Sequence, residues 1–503
     1  MQDSAAPAGR PTGAARNTLY AFFTQMITAA FTAALTLFLV RKLGPREFGI
    51  LALAVSVGGL LFLPSDFGVS GSTARFIAEQ RDDRSAVASL MSDALRLKLA
   101  ISGGVSAILI AIAPLVADAY GEPSLTWPIR WVGLAVLGQG LVALYRYAFV
   151  AQRDASTGFR IVISESAVEA AASVAIVLTA GGAAGAAGGR AVGYAAGTLV
   201  AVAITLRTFG RPAFARSRSL AVARRRLARY AGALFVIDAA FTASVQATPL
   251  LLGGFLGPKA VGLYQAPARL IVLLQYPGVS IANGVAPGLA RAEGRARGRE
   301  VGTFVAALRY LIVFQALAVA PILVWAHPIV DLILGPGYGR SGTILRELTP
   351  YVFMSGLAAL VAGSVNYLGG ARLRVPIALL DLALSLGLTA ALVPAMGLDG
   401  AALASDLGAL IYVPLHIWVA RRFIELPLRP LLLAAARGLA AAGAMSLVLL
   451  AFGTSHLSPV AWVAGGILGL GAFLAVLLLT RELTPAQLSA LPRLVRERAS
   501  RRP

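Results

Sequence analysis

The 503-residue sequence contains no cysteine, which excludes disulfides and thiolate metal sites and says little about compartment. Histidine is almost as scarce: only His327, His416 and His456 occur, with no HExxH or paired spacing, so no metal site or other cofactor is expected. No GxxxxGK[ST] sequence is present, which removes a P-loop nucleotide site. Charge of either sign is rare. Charged residues make up 13% and hydrophobic residues 58% of the chain, and mean hydropathy is +0.77. A soluble domain carries about 25% charged residues, so composition alone indicates an integral membrane protein. Acidic residues are the scarcer charge, 23 against 44 Lys and Arg, giving a net charge of +21. The basic residues fall in short runs between apolar segments and form no single soluble face, so no nucleic-acid partner is expected. The amino-terminal MQDSAAPAGRPTGAARN is polar and shows no cleavable signal pattern.

What fills the chain instead is a series of apolar runs, each near the roughly 20 residues that a bilayer core requires. Fourteen spans are expected: 17–40, 47–70, 97–117, 131–151, 161–181, 190–206, 230–255, 264–289, 302–325, 349–369, 375–396, 399–420, 430–452 and 459–480. With the amino terminus inside, 31 of the 44 basic residues fall in inner connectors, eight in outer ones and five within spans. This asymmetry predicts both termini in the cytoplasm. Eight of the inner arginines lie in 207–229, which holds no acidic residue and separates an amino-terminal lobe (1–206) from a carboxy-terminal lobe (230–425). An extra helix pair (426–480) and a basic tail (481–503) follow. The linker reads as a topology determinant, with anionic membrane lipids as its natural contact.

The two lobes share a signature. Leu43-Gly44-Pro45-Arg46-Glu47-Phe48-Gly49 returns 213 residues later as Leu256-Gly257-Pro258-Lys259-Ala260-Val261-Gly262. Each copy joins two apolar runs. Proline cannot continue a preceding helix and glycine relaxes the turn, so each copy is expected to form a tight helical corner. A pair of such corners indicates a chain built from two similar halves.

Residues 38–79, with Leu43-Gly44-Pro45, Phe48-Gly49, Asp66-Phe67-Gly68 and Ala74-Arg75-Phe76, resemble the amino-terminal signature of Wzx-type oligosaccharide flippases. These belong to the polysaccharide transporter group of the multidrug/oligosaccharidyl-lipid/polysaccharide (MOP) exporter superfamily. Asn366-Tyr367-Leu368-Gly369 and Gly397-Leu398-Asp399-Gly400-Ala401-Ala402 stand where the second half of such proteins has comparable turns. The resemblance implies an all-α polytopic protein of the bacterial inner membrane, with two pseudo-symmetric six-helix lobes plus a helix pair. It implies a polyprenyl-diphosphate-linked glycan as cargo, alternating access, and coupling to Na+ or H+. Polysaccharide polymerase and export components are further candidate partners. A multidrug antiporter of the same superfamily is the alternative, although such proteins usually have twelve spans. A polymerase or ligase would need a large outer loop, and the longest outer connector, 326–348, is short.

Ionisable residues inside spans are the candidate site residues, because a charge in hydrocarbon needs a cavity, a partner or an exit. Glu165 and Glu169, at i and i+4, share one helix face. Asp238 and Asp381 match in depth, roughly 9–12 Å from the inner end at 1.5 Å per residue. These four are the ion-coupling candidates. The diphosphate requires cations, for which Arg offers a bidentate fork. Arg269 leads, followed by Arg146, Lys98 and Arg75, with snorkelling to the inner headgroups as the competing role for Arg146 and Lys98. The stretch GGAAGAAGG (181–189) reads as a flexible outer turn.

Overall fold

The computed structural model describes residues 13–66, 68–80, 82–179, 181–210, 220–291 and 294–484. The centre of the basic linker (211–219) and most of the basic tail (485–503) lie outside the described residues. No strand occurs among the described residues. This is the expected outcome for a chain in lipid, where a helix satisfies its own backbone polar groups.

The chain packs as two compact units, Met1–Gln265 and Ala266–Pro503. The first holds α1 (Gly13–Asp66), α2 (Val69–Glu79), α3 (Arg84–Ala119), α4 (Thr126–Ala151), α5 (Ala155–Thr179), α6 (Gly182–Phe209), α7 (Leu220–Leu256) and the first turns of α8 (Pro258–Arg291). The second holds the rest of α8, then α9 (Gly294–Ile333), α10 (Gly339–Glu347), α11 (Thr349–Tyr367), α12 (Ala371–Met396), α13 (Leu398–Ala420), α14 (Leu428–Ala451) and α15 (Pro459–Leu479). Twelve helices among the described residues are long and apolar enough to cross a membrane. The pair α10–α11, bent by 59°, makes a thirteenth span. One of the twelve contains α1, which is broken at Gly44 into arms 13–43 and 45–66. Each arm exceeds about 20 residues, so counting them separately gives the fourteen spans expected.

Local sequence explains where helices stop. Asp83 caps α3 by accepting from the Ser85 and Ala86 amides at 2.9 and 3.1 Å. The Ser85 hydroxyl, followed by the two amides, holds the Asp83 carboxyl below its ordinary value. The cap therefore stands at neutral pH and is lost only as pH falls through that lowered value. Ser458 caps α15 in the same way, through the Ala461 amide at 3.1 Å. Each unit buries its own core: Ile77, Met91, Tyr145, Phe149 and Ile161 in the first, and Phe304, Leu308, Trp325, Leu431 and Phe473 in the second.

Two expectations are corrected. GGAAGAAGG is not a turn. From Gly182 it is the start of α6, and Gly185, Gly189, Gly193 and Gly197 line up every fourth residue against α5. A Cβ on Gly189 would lie 2.4 Å from the Ser173 Cα, and one on Gly193 2.4 Å from the Glu169 Cβ. Glycine-rich sequence signals a loop in water, but in lipid it allows two helices to pack backbone to backbone. The outer connector 326–348 is also mostly helical, since α9 runs to Ile333 and α10 starts at Gly339. Only 334–338 and Leu348 lie outside helices there.

The repeated corners form as expected and meet each other. Gly44 (φ 73°) and Gly257 (φ 79°) both adopt the left-handed region that side chains disfavour. Five residues on, Gly49 and Gly262 pack reciprocally: a Cβ on Gly49 would fall 1.8 Å from the Pro258 carbonyl oxygen, and one on Gly262 1.8 Å from that of Pro45. The first corner is anchored further. Arg46 donates to both Glu122 oxygens at 2.8 and 2.7 Å, and Glu47 accepts the Ala183 amide at 2.8 Å, capping α6. Gly49→Ala and Gly262→Ala are each expected to destabilise the protein by about 1–3 kcal/mol or more, because backbone must move to admit the methyl. Gly103→Ala, which meets nothing within 4 Å, should instead be neutral or gain up to about 1 kcal/mol. Thermal melting in detergent compares the three; equal shifts would contradict the reciprocal contact.

Candidate functional site

The polar groups inside the first unit form two clusters. α1 ends at Asp66, and Gly68, at φ 73°, opens α2. The Lys98 side chain on α3 is fully buried and pairs with Asp66. Asp66 also accepts from the Ser70 hydroxyl at 2.5 Å, while the Ser102 hydroxyl donates to the Ser65 carbonyl at 2.9 Å. Gly140 of α4 makes the room, since a Cβ there would lie 3.0 Å from Lys98 Cε and 2.8 Å from Ser102 Oγ. The sequence placed Lys98 at the headgroups or in the cargo path. In the structure it is committed to Asp66.

The second cluster lies between α5 and α6, whose glycine-mediated approach brings it together. Glu165 is buried, and Glu169, one turn on, pairs with Arg190 of α6 at 3.6 Å. The Arg190 guanidinium sits 5.5 Å from the Tyr194 ring centroid, over its face. Glu169, Arg190 and, from α4, Arg146 all lie within electrostatic reach of Glu165. Arg190, expected in an outer connector, is thus inside a span with a carboxylate partner. Two carboxylates thus share one close guanidinium at the α5–α6 contact. Arg146 itself is exposed, beside the Tyr147 ring. Arg75 lies on the surface of α2 and pairs with Glu79 at 3.1 Å. Asp238 is exposed on α7.

The second unit carries a polar path of its own. Arg374 donates to Asn366 Oδ1 at 2.7 Å and to His416 Nε2 at 3.3 Å, which leaves His416 Nδ1 to donate to the Tyr412 carbonyl at 2.9 Å. Tyr412 and Tyr351 both lie within electrostatic reach of Asp381, and Gln275 hydrogen bonds to Tyr351. A Cβ on Gly408 would lie 4.0 Å from Asp381 Oδ1, so α13 passes beside that carboxylate at ordinary contact distance. Asp406, by contrast, accepts the Tyr351 amide at 2.9 Å and caps α11. Arg340 pairs with Asp399 at the Gly397 corner. Arg269 is exposed on α8.

Sequence reasoning missed Glu482. It follows α15 directly, is almost wholly buried, and accepts from Arg309 of α9 at 2.7 and 3.1 Å and from Arg437 of α14 at 2.9 Å. The available signal was Arg309 and Arg437 themselves, two in-span cations that required a carboxylate.

Comparison with known proteins adds the family. A profile described as "Polysaccharide biosynthesis protein" matches residues 14–292, more than half the chain. This chain belongs to the polysaccharide biosynthesis protein family. Comparison with curated protein sequences finds no match. Among solved structures, the lipid II flippase MurJ in an inward closed conformation is similar at TM-score 0.74 and 12% identity, covering 92% of this chain and 99% of its own. An inward-facing multidrug resistance MATE transporter of the MOP superfamily is similar at TM-score 0.67 and 15% identity, covering 82% of this chain and 98% of its own. An outward-facing MATE transporter gives 0.54 and 17%, covering 82% and 96%. The fold is therefore the one that the sequence resemblance implied, and this family member is a multi-pass membrane protein.

The buried Lys98–Asp66 pair generates a stability test. Lys98→Ala leaves the partly exposed Asp66 without its cation and should lower stability by about 1–3 kcal/mol, whereas Lys98→Met combined with Asp66→Asn should recover most of the loss. Melting of the purified variants checks this; a single substitution as stable as the parent would refute the pairing.

Proposed function

We propose that the protein is a flippase that moves a polyprenyl-diphosphate-linked oligosaccharide across the bacterial inner membrane for surface or exopolysaccharide biosynthesis. Movement is by alternating access, coupled to a Na+ or H+ gradient. The observation that carries this reading is family membership together with a MurJ likeness that extends over 92% of the chain. The MATE likenesses cover 82% of the chain. A drug or small-cation antiporter, the second reading, is supported by the MATE likeness, which covers less of the chain.

The cargo dictates the chemistry. A diphosphate needs guanidinium donors, and Arg269 and Arg146 are exposed candidates on α8 and α4. Lys98 and Arg75 are weaker candidates because Asp66 and Glu79 already hold them. For coupling, Asp381 within the polar path of the second unit is the leading residue, with Asp238 on α7 beside it in the proposal. Glu165 and Glu169 form a second acidic pair in the first unit. The working partners are the lipid-linked glycan and membrane lipids.

Vesicles reconstituted with a labelled polyprenyl-diphosphate sugar test the reading by scoring leaflet transfer against imposed Na+ and H+ gradients. Transfer should respond to one gradient. Arg269→Gln should slow it about 10- to 100-fold, the loss of one charge-assisted contact of about 1.5–3 kcal/mol. Asp381→Asn should leave residual transfer that ignores the gradient. Transfer of a cationic dye but not of the lipid would establish the second reading instead.

A further inference from the structure

The Arg309–Glu482–Arg437 triad has more cation than its carboxylate can use. Glu482 is 3% exposed, while its two partners are 38% and 33% exposed, so each guanidinium keeps an open edge. Arg309 spends Nε and one Nη on Glu482, and Arg437 spends one Nη. The remaining N–H groups have no partner among the described residues. Two guanidiniums against one carboxylate leave a net charge of +1 at one place on the second unit.

A cavity of about 140 Å³ opens at this place, lined by Arg309, Glu482 and Tyr310 together with the apolar Ala306, Val313 and Leu483. Its surroundings are apolar and outward-facing: Tyr310 is 51% exposed, and Leu479, just before Glu482, is 83% exposed. On a membrane-spanning chain such surface faces acyl chains. An aromatic hydroxyl beside a cation is the pairing that interfacial headgroups favour.

We propose that this notch binds the phosphate of an anionic glycerophospholipid, with the headgroup on Arg309, which lines it, and the acyl chains along the exposed apolar surface at the end of α15. Arg437 lies outside the lining and contributes charge from across Glu482. Three features select this ligand. The spare charge is positive, the donors are guanidinium forks suited to phosphate oxygens, and the walls are half apolar. Basic pockets between transmembrane helices recognise anionic lipids by this combination. Glu482 bridges the two forks and lowers their net charge, so it acts as an internal competitor for the phosphate. On the positive-inside reading the notch faces the inner leaflet.

The internal competitor makes the idea testable in a direction that a purely structural triad does not share. Native mass spectrometry of the full chain in detergent would compare retention of phosphatidylglycerol, phosphatidylcholine and inorganic phosphate. Phosphatidylglycerol should be retained over phosphatidylcholine, and millimolar inorganic phosphate should not displace it. Arg309→Gln should reduce retention about fivefold to tenfold. Glu482→Gln should increase it, because the Arg309 fork is released from its carboxylate and the local positive charge rises. Weaker or unchanged retention in a folded Glu482→Gln variant would overturn the proposal, as would displacement by inorganic phosphate. If that variant does not fold, the selectivity of the unaltered chain still decides: equal retention of the two lipids refutes the site.

Discussion

A charge inside an apolar layer must find a partner, and in this protein the partners determine which helices touch. Lys98 ties α3 to the end of α1 through Asp66. Arg190 ties α6 to α5 through Glu169. Glu482 gathers α9, α14 and the chain after α15. Each pair is a cost avoided more than a stabilisation gained, because a buried ion without its counterion is expensive while the pair is near neutral. These ion pairs therefore specify arrangement, and the dispersion contacts of the small and aliphatic residues around them supply most of the adhesion.

Much of this was legible in the sequence. The fourteen apolar runs, the two LGP corners and the family resemblance all follow from patterns that survive without tertiary information. The broken helix at Gly44 was readable because Gly-Pro interrupts any helix. What could not be read was pairing. The one-dimensional positions of Lys98 and Asp66 do not disclose that Gly140 leaves a gap for the ammonium, nor that Ser102 closes the backbone beside it. Snorkelling and burial make the same sequence pattern for a lysine near a span end, and only packing separates them. The tail beginning at 481 looked uniformly basic, so its one early glutamate received no weight.

Glycine was the residue whose meaning changed most between sequence and structure. In α6 it recurs every fourth residue and lets α5 approach until the Cα atoms are nearly in contact. The consequence is electrostatic as well as steric. At that separation Glu165 and Glu169 lie beside Arg190 and Tyr194. A bulkier α6 would hold the carboxylates and the guanidinium apart, in hydrocarbon, with no compensation. The acidic pair is thus a property of the glycine face as much as of its own residues.

The Gly49–Gly262 contact is isologous in the way a two-fold dimer interface is: the same notch meets the same carbonyl from either side. Such a contact constrains both copies at once, since neither notch can fill without displacing the other's backbone. Residues around it are under no such reciprocity, and they have diverged. At the offset of the repeat, Glu47, which caps α6, is answered by Ala260, which has no side-chain acceptor and is buried. The chain therefore keeps a symmetric backbone contact at the two corners while the side chains around each copy carry different electrostatics.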